Sequence, residues 1–112
     1  MDQIALGIVL GTGLDGLASE MELLQEIPYD DIPHFPQSTQ TYQKGRLLYG
    51  SLEGKKVLAF QGRFHLYEGY PFFELTFWVR VFAALGGKQL IISNAAGAVN
   101  LDFNKGELML LT

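Results

Sequence analysis

RLLYGSLEGKKVLAFQGRFHLYEGY, residues 46–70, is the stretch from which the rest of the chain is read. Arg46 to Ser51 (RLLYGS) and Lys55 to Gln61 (KKVLAFQ) flank Leu52-Glu53-Gly54. That is a β-hairpin pattern, with glycine where the turn favours a positive φ. The second run leads directly into a segment that sets Arg63, His65, Tyr67 and Glu68 between Gly62 and Gly69. If the chain stays extended there, the period of two puts Arg63, His65 and Tyr67 on one face. Such a face offers a fixed cation, an imidazole and a phenol, a set suited to an anion beside a sugar. Gly62 and Gly69 allow the backbone to turn, or to approach a ligand where a Cβ would obstruct. The alternative is an edge strand whose polar residues are simply solvated.

Toward the N-terminus, Ile4 to Leu10 (IALGIVL) is a short apolar run with β-branched members, expected as a strand buried on both faces. It ends in Gly11-Thr12-Gly13, followed by Leu14-Asp15-Gly16-Leu17, after which a helical period is expected through about Leu24. Strand, glycine turn and helix start together aim backbone N–H groups at an anion. Thr12 either adds a hydroxyl donor to that nest or caps the helix. G-x-G-x-x-G is formally present at Gly11, Gly13 and Gly16. However, no βαβ unit follows and no acidic residue closes a second strand, so a nicotinamide site is not indicated. Ile27 to Gly45, studded with Pro28, Pro33 and Pro36, reads as a long loop in which His34 is a packed surface residue.

Toward the C-terminus, Pro71 to Leu85 (PFFELTFWVRVFAAL) is apolar nearly all round. Proline at its start and Gly86-Gly87 at its end give the punctuation of a helix buried on most of its surface. Lys88 to Ser93 (KQLIIS) is expected as another buried strand. Small residues follow at 94–100 (NAAGAVN), where a ligand or a second backbone can come close. Glu107 to Leu111 (ELMLL) reads as the start of a further strand.

Composition narrows the function classes. A chain of 112 residues that is 48% hydrophobic supports one domain over residues 1–112 and is too apolar for disorder. Its formal charge of −4 is spread without long like-charge runs, which argues against sequence-independent nucleic-acid binding. No apolar run approaches the ~20 residues of a membrane span, and no secretory signal is evident. With no cysteine and only His34 and His65, disulfides are excluded and a zinc site is disfavoured; a cytoplasmic home fits.

Three separated elements then stand in order: Gly11-Thr12-Gly13, QGRFHLYEGYP at 61–71 and NAAGAVN at 94–100. With IPHFPQST (32–39) and FWVRVF (77–82) between them, they resemble the purine nucleoside phosphorylase family, in its trimeric branch. The resemblance covers nearly the whole chain but only the N-terminal part of the family's longer enzymes. It implies an α/β fold, a mixed central β-sheet flanked by helices, incomplete in this chain. It also implies phosphorolysis, in which a purine nucleoside and phosphate give the free base and ribose 1-phosphate. Inorganic phosphate would be the co-substrate, with no metal or organic cofactor, and the partner a further copy of the chain, as a trimer.

By that resemblance Thr12, Arg63, His65 and the backbone amide of Ala95 bind phosphate, and Tyr67 contacts ribose. Gln43 stands where many members carry a histidine near phosphate and ribose. Ala98 stands where glycine or serine is usual. Asn94, beside Ala95, is a further candidate. This agrees with the residues themselves, since Arg63 can grip an oxyanion with a bidentate fork and amides beside Gly13 and Ala95 can complete a cradle. The family's purine-holding carboxylate and amide, and an aromatic residue lent by a neighbouring subunit, have no counterpart here. No catalytic residue is therefore assigned, and the chain alone is expected to be inactive. The alternative is a non-catalytic module that binds phosphate or self-associates.

Overall fold

The structure is a computed structural model that describes residues 3–11, 13–36 and 45–112. Its centre is β1 (Leu6–Leu10), the apolar run after Ile4. β1 pairs in parallel with β4 (Lys55–Gln61) on one side and with β5 (Leu90–Ile92) on the other. β4 closes the hairpin with β3 (Arg46–Leu52), and β3 pairs antiparallel with β2 (Glu22–Pro28), giving the order β2-β3-β4-β1-β5. The hairpin turn sets both Glu53 and Gly54 at positive φ, as a two-residue turn between right-twisted strands requires. The sheet is mixed, with helices on both faces, as expected.

Alternation along the strands divides the core in two. Val9, Leu47, Tyr49, Leu58 and Phe60 face a cluster with Phe82, Phe77 and Trp78 from α3 (Phe77–Ala84). Ile8, Leu10, Leu48, Val57 and Ala59 face Ala18 of α1 (Gly16–Ser19) and Met21. Phe60 meets Trp78 with ring centroids 5.2 Å apart, which fixes α3 over β4. At the sheet's outer side Arg46 hydrogen-bonds Gln61 through Nε and pairs with Glu26 through Nη1 at 2.6 Å, linking β4, β3 and β2 across their faces.

Several expectations are corrected. The helix expected to reach Leu24 ends at Ser19, and Glu22 to Pro28 is an exposed edge strand instead. Pairing with β3 decides this segment, because its local sequence has no strand alternation. The loop expected from Ile27 therefore begins later, with a 3-10 turn at Tyr29–Asp31. The helix expected over 71–85 is two helices, α2 (Phe72–Leu75) and α3, parted at Thr76. There the Thr76 hydroxyl donates back to the Phe72 carbonyl at 2.9 Å, a contact that loosens helices. Nor is the pair largely buried: Phe72 and Phe73 are each 70% exposed, and of the α3 residues Phe82 alone is fully buried. β5 lies at the sheet's edge with Ile91 and Ile92 more than half exposed. Glu107 to Leu111 forms no strand, since no described strand lies beside it to take its backbone groups.

The difference between the two ends of the sheet is measurable. Leu58→Ala, at a side chain with no exposure, is expected to lower stability by about 2–5 kcal/mol. Ile92→Ala on the open edge should change it by roughly 0.5 kcal/mol or less. Urea melts of the two variants against the parent chain measure both.

Candidate functional site

The carboxyl ends of the three parallel strands converge on one rim. That is where open α/β sheets bind ligands, because the turns leaving those ends expose their backbone groups. β1 opens into the Gly11 turn, closed by the Leu14 N–H donating to the Gly11 carbonyl at 3.1 Å. β4 leaves through Gly62, held at φ +101°, a left-handed value that favours glycine. The Tyr29 phenol donates to the Gly62 carbonyl at 2.7 Å, and the Tyr29 N–H donates to the Gly45 carbonyl at 3.1 Å. A Cβ at position 45 would lie 2.2 Å from the Tyr29 ring, so that ring presses directly on backbone. Burial pushes the Tyr29 phenol well above its usual range, and it stays a neutral donor.

Arg63 follows that turn. Its Nη1 donates to the Ser93 carbonyl at the end of β5, 3.2 Å away. Two strand spacings of ~4.8 Å separate β4 from β5, so the guanidinium reaches over the end of β1. No carboxylate pairs with Arg63 among the described residues, which leaves its charge for a ligand. His65 is extended, as expected, and half exposed. Its N–H donates to Glu68 Oε2 at 2.7 Å, and the same oxygen lies 3.3 Å from Nδ1. A carboxylate can only accept, so Nδ1 carries the hydrogen and Nε2 is the nitrogen turned to other partners.

Tyr67 departs from the expected alternation. It belongs to a 3-10 turn, Leu66–Glu68, rather than to extended chain. Its ring reaches His65 by stacking instead, with centroids 4.9 Å apart and planes 14° from parallel. Ala95 lies exposed just past β5, and its N–H donates to no protein acceptor among the described residues. Asn94 turns its side-chain amide onto the Ala95 carbonyl at 3.3 Å. Thr12 and Gln43 lie outside the described residues.

The rim thus gathers a guanidinium with no carboxylate partner, an imidazole backed by a carboxylate, a stacked phenol and an amide with no acceptor, all among the described residues. Glu68, Ser93 and Tyr29 serve this site without having been assigned to it from sequence. For Glu68 the signal was present: an acidic residue three positions after His65 can reach back to that residue's N–H.

Comparisons with known proteins bear on the family and the fold. A model of the phosphorylase superfamily matches residues 5–112. Purine nucleoside phosphorylase 1 of Geobacillus stearothermophilus is 54% identical over 107 residues, which cover 96% of this chain and 39% of that protein. The purine nucleoside phosphorylase of Bos taurus is 45% identical over 106 residues, covering 95% and 37%. A solved purine nucleoside phosphorylase in complex with ribose-1-phosphate matches with a TM-score of 0.86 at 43% identity, over 93% of this chain and 38% of that one. The Schistosoma mansoni enzyme in complex with inosine matches with a TM-score of 0.85 at 41% identity, over 93% and 36%. The chain spans about two-fifths of the length of these relatives.

The buried phenol under the Gly62 turn sets an alkaline limit. Tyr29 stays protonated when folded, whereas an unfolded phenol ionises above about pH 10. Stability is therefore complete below that pH and falls as pH rises beyond it, because ionisation favours the unfolded chain. Tyr29→Phe should cost about 1 kcal/mol at neutral pH through the lost Gly62 hydrogen bond. The variant should also lose stability less steeply above pH 10, which urea melts at pH 7 through 11 can compare.

Proposed function

Because this chain belongs to the phosphorylase superfamily, we propose that its rim is the phosphate-and-ribose half of a purine nucleoside phosphorylase site. The observation that carries this is Arg63, whose guanidinium is held on the Ser93 carbonyl and has no carboxylate partner among the described residues. Phosphate takes the Arg63 fork, His65 and the Ala95 N–H, with Asn94 next to Ala95; the family resemblance adds Thr12 and Gln43, which lie outside the described residues. Ribose lies against Tyr67, whose exposed ring offers a flat face and a hydroxyl. Relatives solved in complex with ribose-1-phosphate and with inosine support a nucleoside-phosphorolysis reading.

The chemistry accounts for that set of groups. As the glycosidic bond breaks, positive charge builds on the ribosyl ring, and phosphate beneath it acts as nucleophile and electrostatic partner. Its oxygen forms the new bond to the anomeric carbon while the bonding pair leaves with the purine, which takes up a proton. Fixed donors place the phosphate, and placement supplies much of the rate. The reading needs no metal and no organic cofactor, phosphate being the co-substrate.

The purine must also be held and made a better leaving group. None of the described rim residues is assigned to this, so the 112-residue chain by itself is read as binding phosphate without turnover. A cytoplasmic setting and a homo-oligomer, trimeric by family resemblance, complete the proposal. The exposed pair Phe72 and Phe73 supports association. Among the described residues no helix is long and apolar enough to cross a membrane.

The test is phosphate-dependent release of hypoxanthine from inosine, run beside a phosphate titration. The expected result for the chain alone is saturable phosphate binding without release. Arg63→Ala should weaken that binding about tenfold to hundredfold. Release by the isolated chain would overturn the division into halves, and unchanged binding in Arg63→Ala would overturn the site.

A further inference from the structure

We infer that Ser93 is a positioning residue for the anion site, locking the Gly11 turn and the Arg63 guanidinium to the end of β5. The inference rests on the phosphate reading of Arg63 given above. The β1–β5 ladder is only three residues long and stops at Val9 opposite Ile92. Past that point the Val9 carbonyl has only a long backbone contact across the pair and the Gly11 N–H has no backbone partner among the described residues, and the Ser93 hydroxyl serves both. It donates to the Val9 carbonyl at 3.0 Å and accepts from the Gly11 N–H at 3.0 Å. The Ser93 N–H adds a longer contact to Val9, 3.4 Å. A hydroxyl can donate and accept at once, which alanine cannot imitate.

The backbone of the same residue faces the ligand side, where the Ser93 carbonyl anchors Arg63 Nη1. A Cβ at position 11 would sit 2.6 Å from that carbonyl oxygen and 3.1 Å from the hydroxyl. Gly11 and Ser93 are therefore interlocked, and neither the turn nor the carbonyl can shift independently. One consequence concerns the glycine turn: the Gly11 N–H is committed to Ser93, so donors for an anion must come from beyond it. A second concerns Arg63. Without a fixed carbonyl its long side chain samples many rotamers, and ordering it on binding then opposes affinity.

The test is phosphate titration of the 112-residue chain by calorimetry, with Ser93→Ala, Ser93→Thr and Arg63→Ala alongside. Far-UV circular dichroism checks the fold, and hydrogen exchange at the Gly11 amide reads the lock itself. Ser93→Ala is expected to bind phosphate about tenfold more weakly and to expose the Gly11 amide to faster exchange. Ser93→Thr, which keeps the hydroxyl, should remain within about twofold of the parent on both readouts. If Ser93→Ala does not hold its fold, Ser93→Cys replaces it with the same expectation, a thiol being a weak donor. Parent-like phosphate binding in Ser93→Ala, with binding lost in Arg63→Ala, overturns this inference and leaves the site standing. So does a threonine variant as weak as alanine. Absence of saturable phosphate binding in the parent chain overturns the site reading, and this inference with it.

Discussion

The parallel pairing of β1 with β4, five residues in register from Leu6 opposite Val57 to Leu10 opposite Gln61, is what the rest depends on. Parallel neighbours end at the same side of the sheet, so the turns that leave them emerge together. Here that places the Gly11 turn against the Gly62 turn, with β5 delivering Ser93 and Ala95 from the other flank. A parallel strand between two others is covered on both faces, which is why Ile8, Val9 and Leu10 are all buried and carry no polar group. The apolar character of IALGIVL and the polarity of the turns that bracket it are two sides of one requirement.

How legible an element was in the sequence follows how locally it is determined. The hairpin could be read because Glu53-Gly54 makes the turn and both flanking runs are apolar. β1 could be read because a doubly buried strand must be apolar throughout. β2 could not, since ELLQEIP lies on an edge with no buried face to impose alternation, and β3 alone makes it a strand. The helix over 71–85 was half legible. Its apolar content marked it, but Thr76 broke it through a hydroxyl-to-carbonyl bond that a periodicity reading passes over.

The site shows the same division. Arg63 and His65 were accessible from residue type and spacing alone, and both stand on the rim. Tyr67 was assigned by an alternation that stops one residue before it, where the chain coils into a 3-10 turn. It remains beside His65 because a ring can reach by stacking what a strand would have reached by pleating. Ser93 and Tyr29 were invisible to such reasoning. Their partners, Val9, Gly11 and Gly62, lie 33 residues or more away, and the partnership exists only once the sheet has assembled.

These supporting residues also bear on the proposed reading, in which the rim holds phosphate without completing its reaction. Its fixed positive charge is one guanidinium, and its other donors are an imidazole and neutral amides. Donors of that kind orient an oxyanion while leaving it basic enough to attack, whereas a cluster of lysines would hold it more tightly and quench it. In the proposed pose all of them belong to the side of the incoming nucleophile. The bond that breaks lies on the far side of the ribose, where the leaving purine needs a proton. Transition-state stabilisation requires both sides, and interactions confined to one contribute mainly to binding. On the proposed reading, affinity for phosphate and the capacity to release purine are therefore separable, and the described residues are assigned to the first alone.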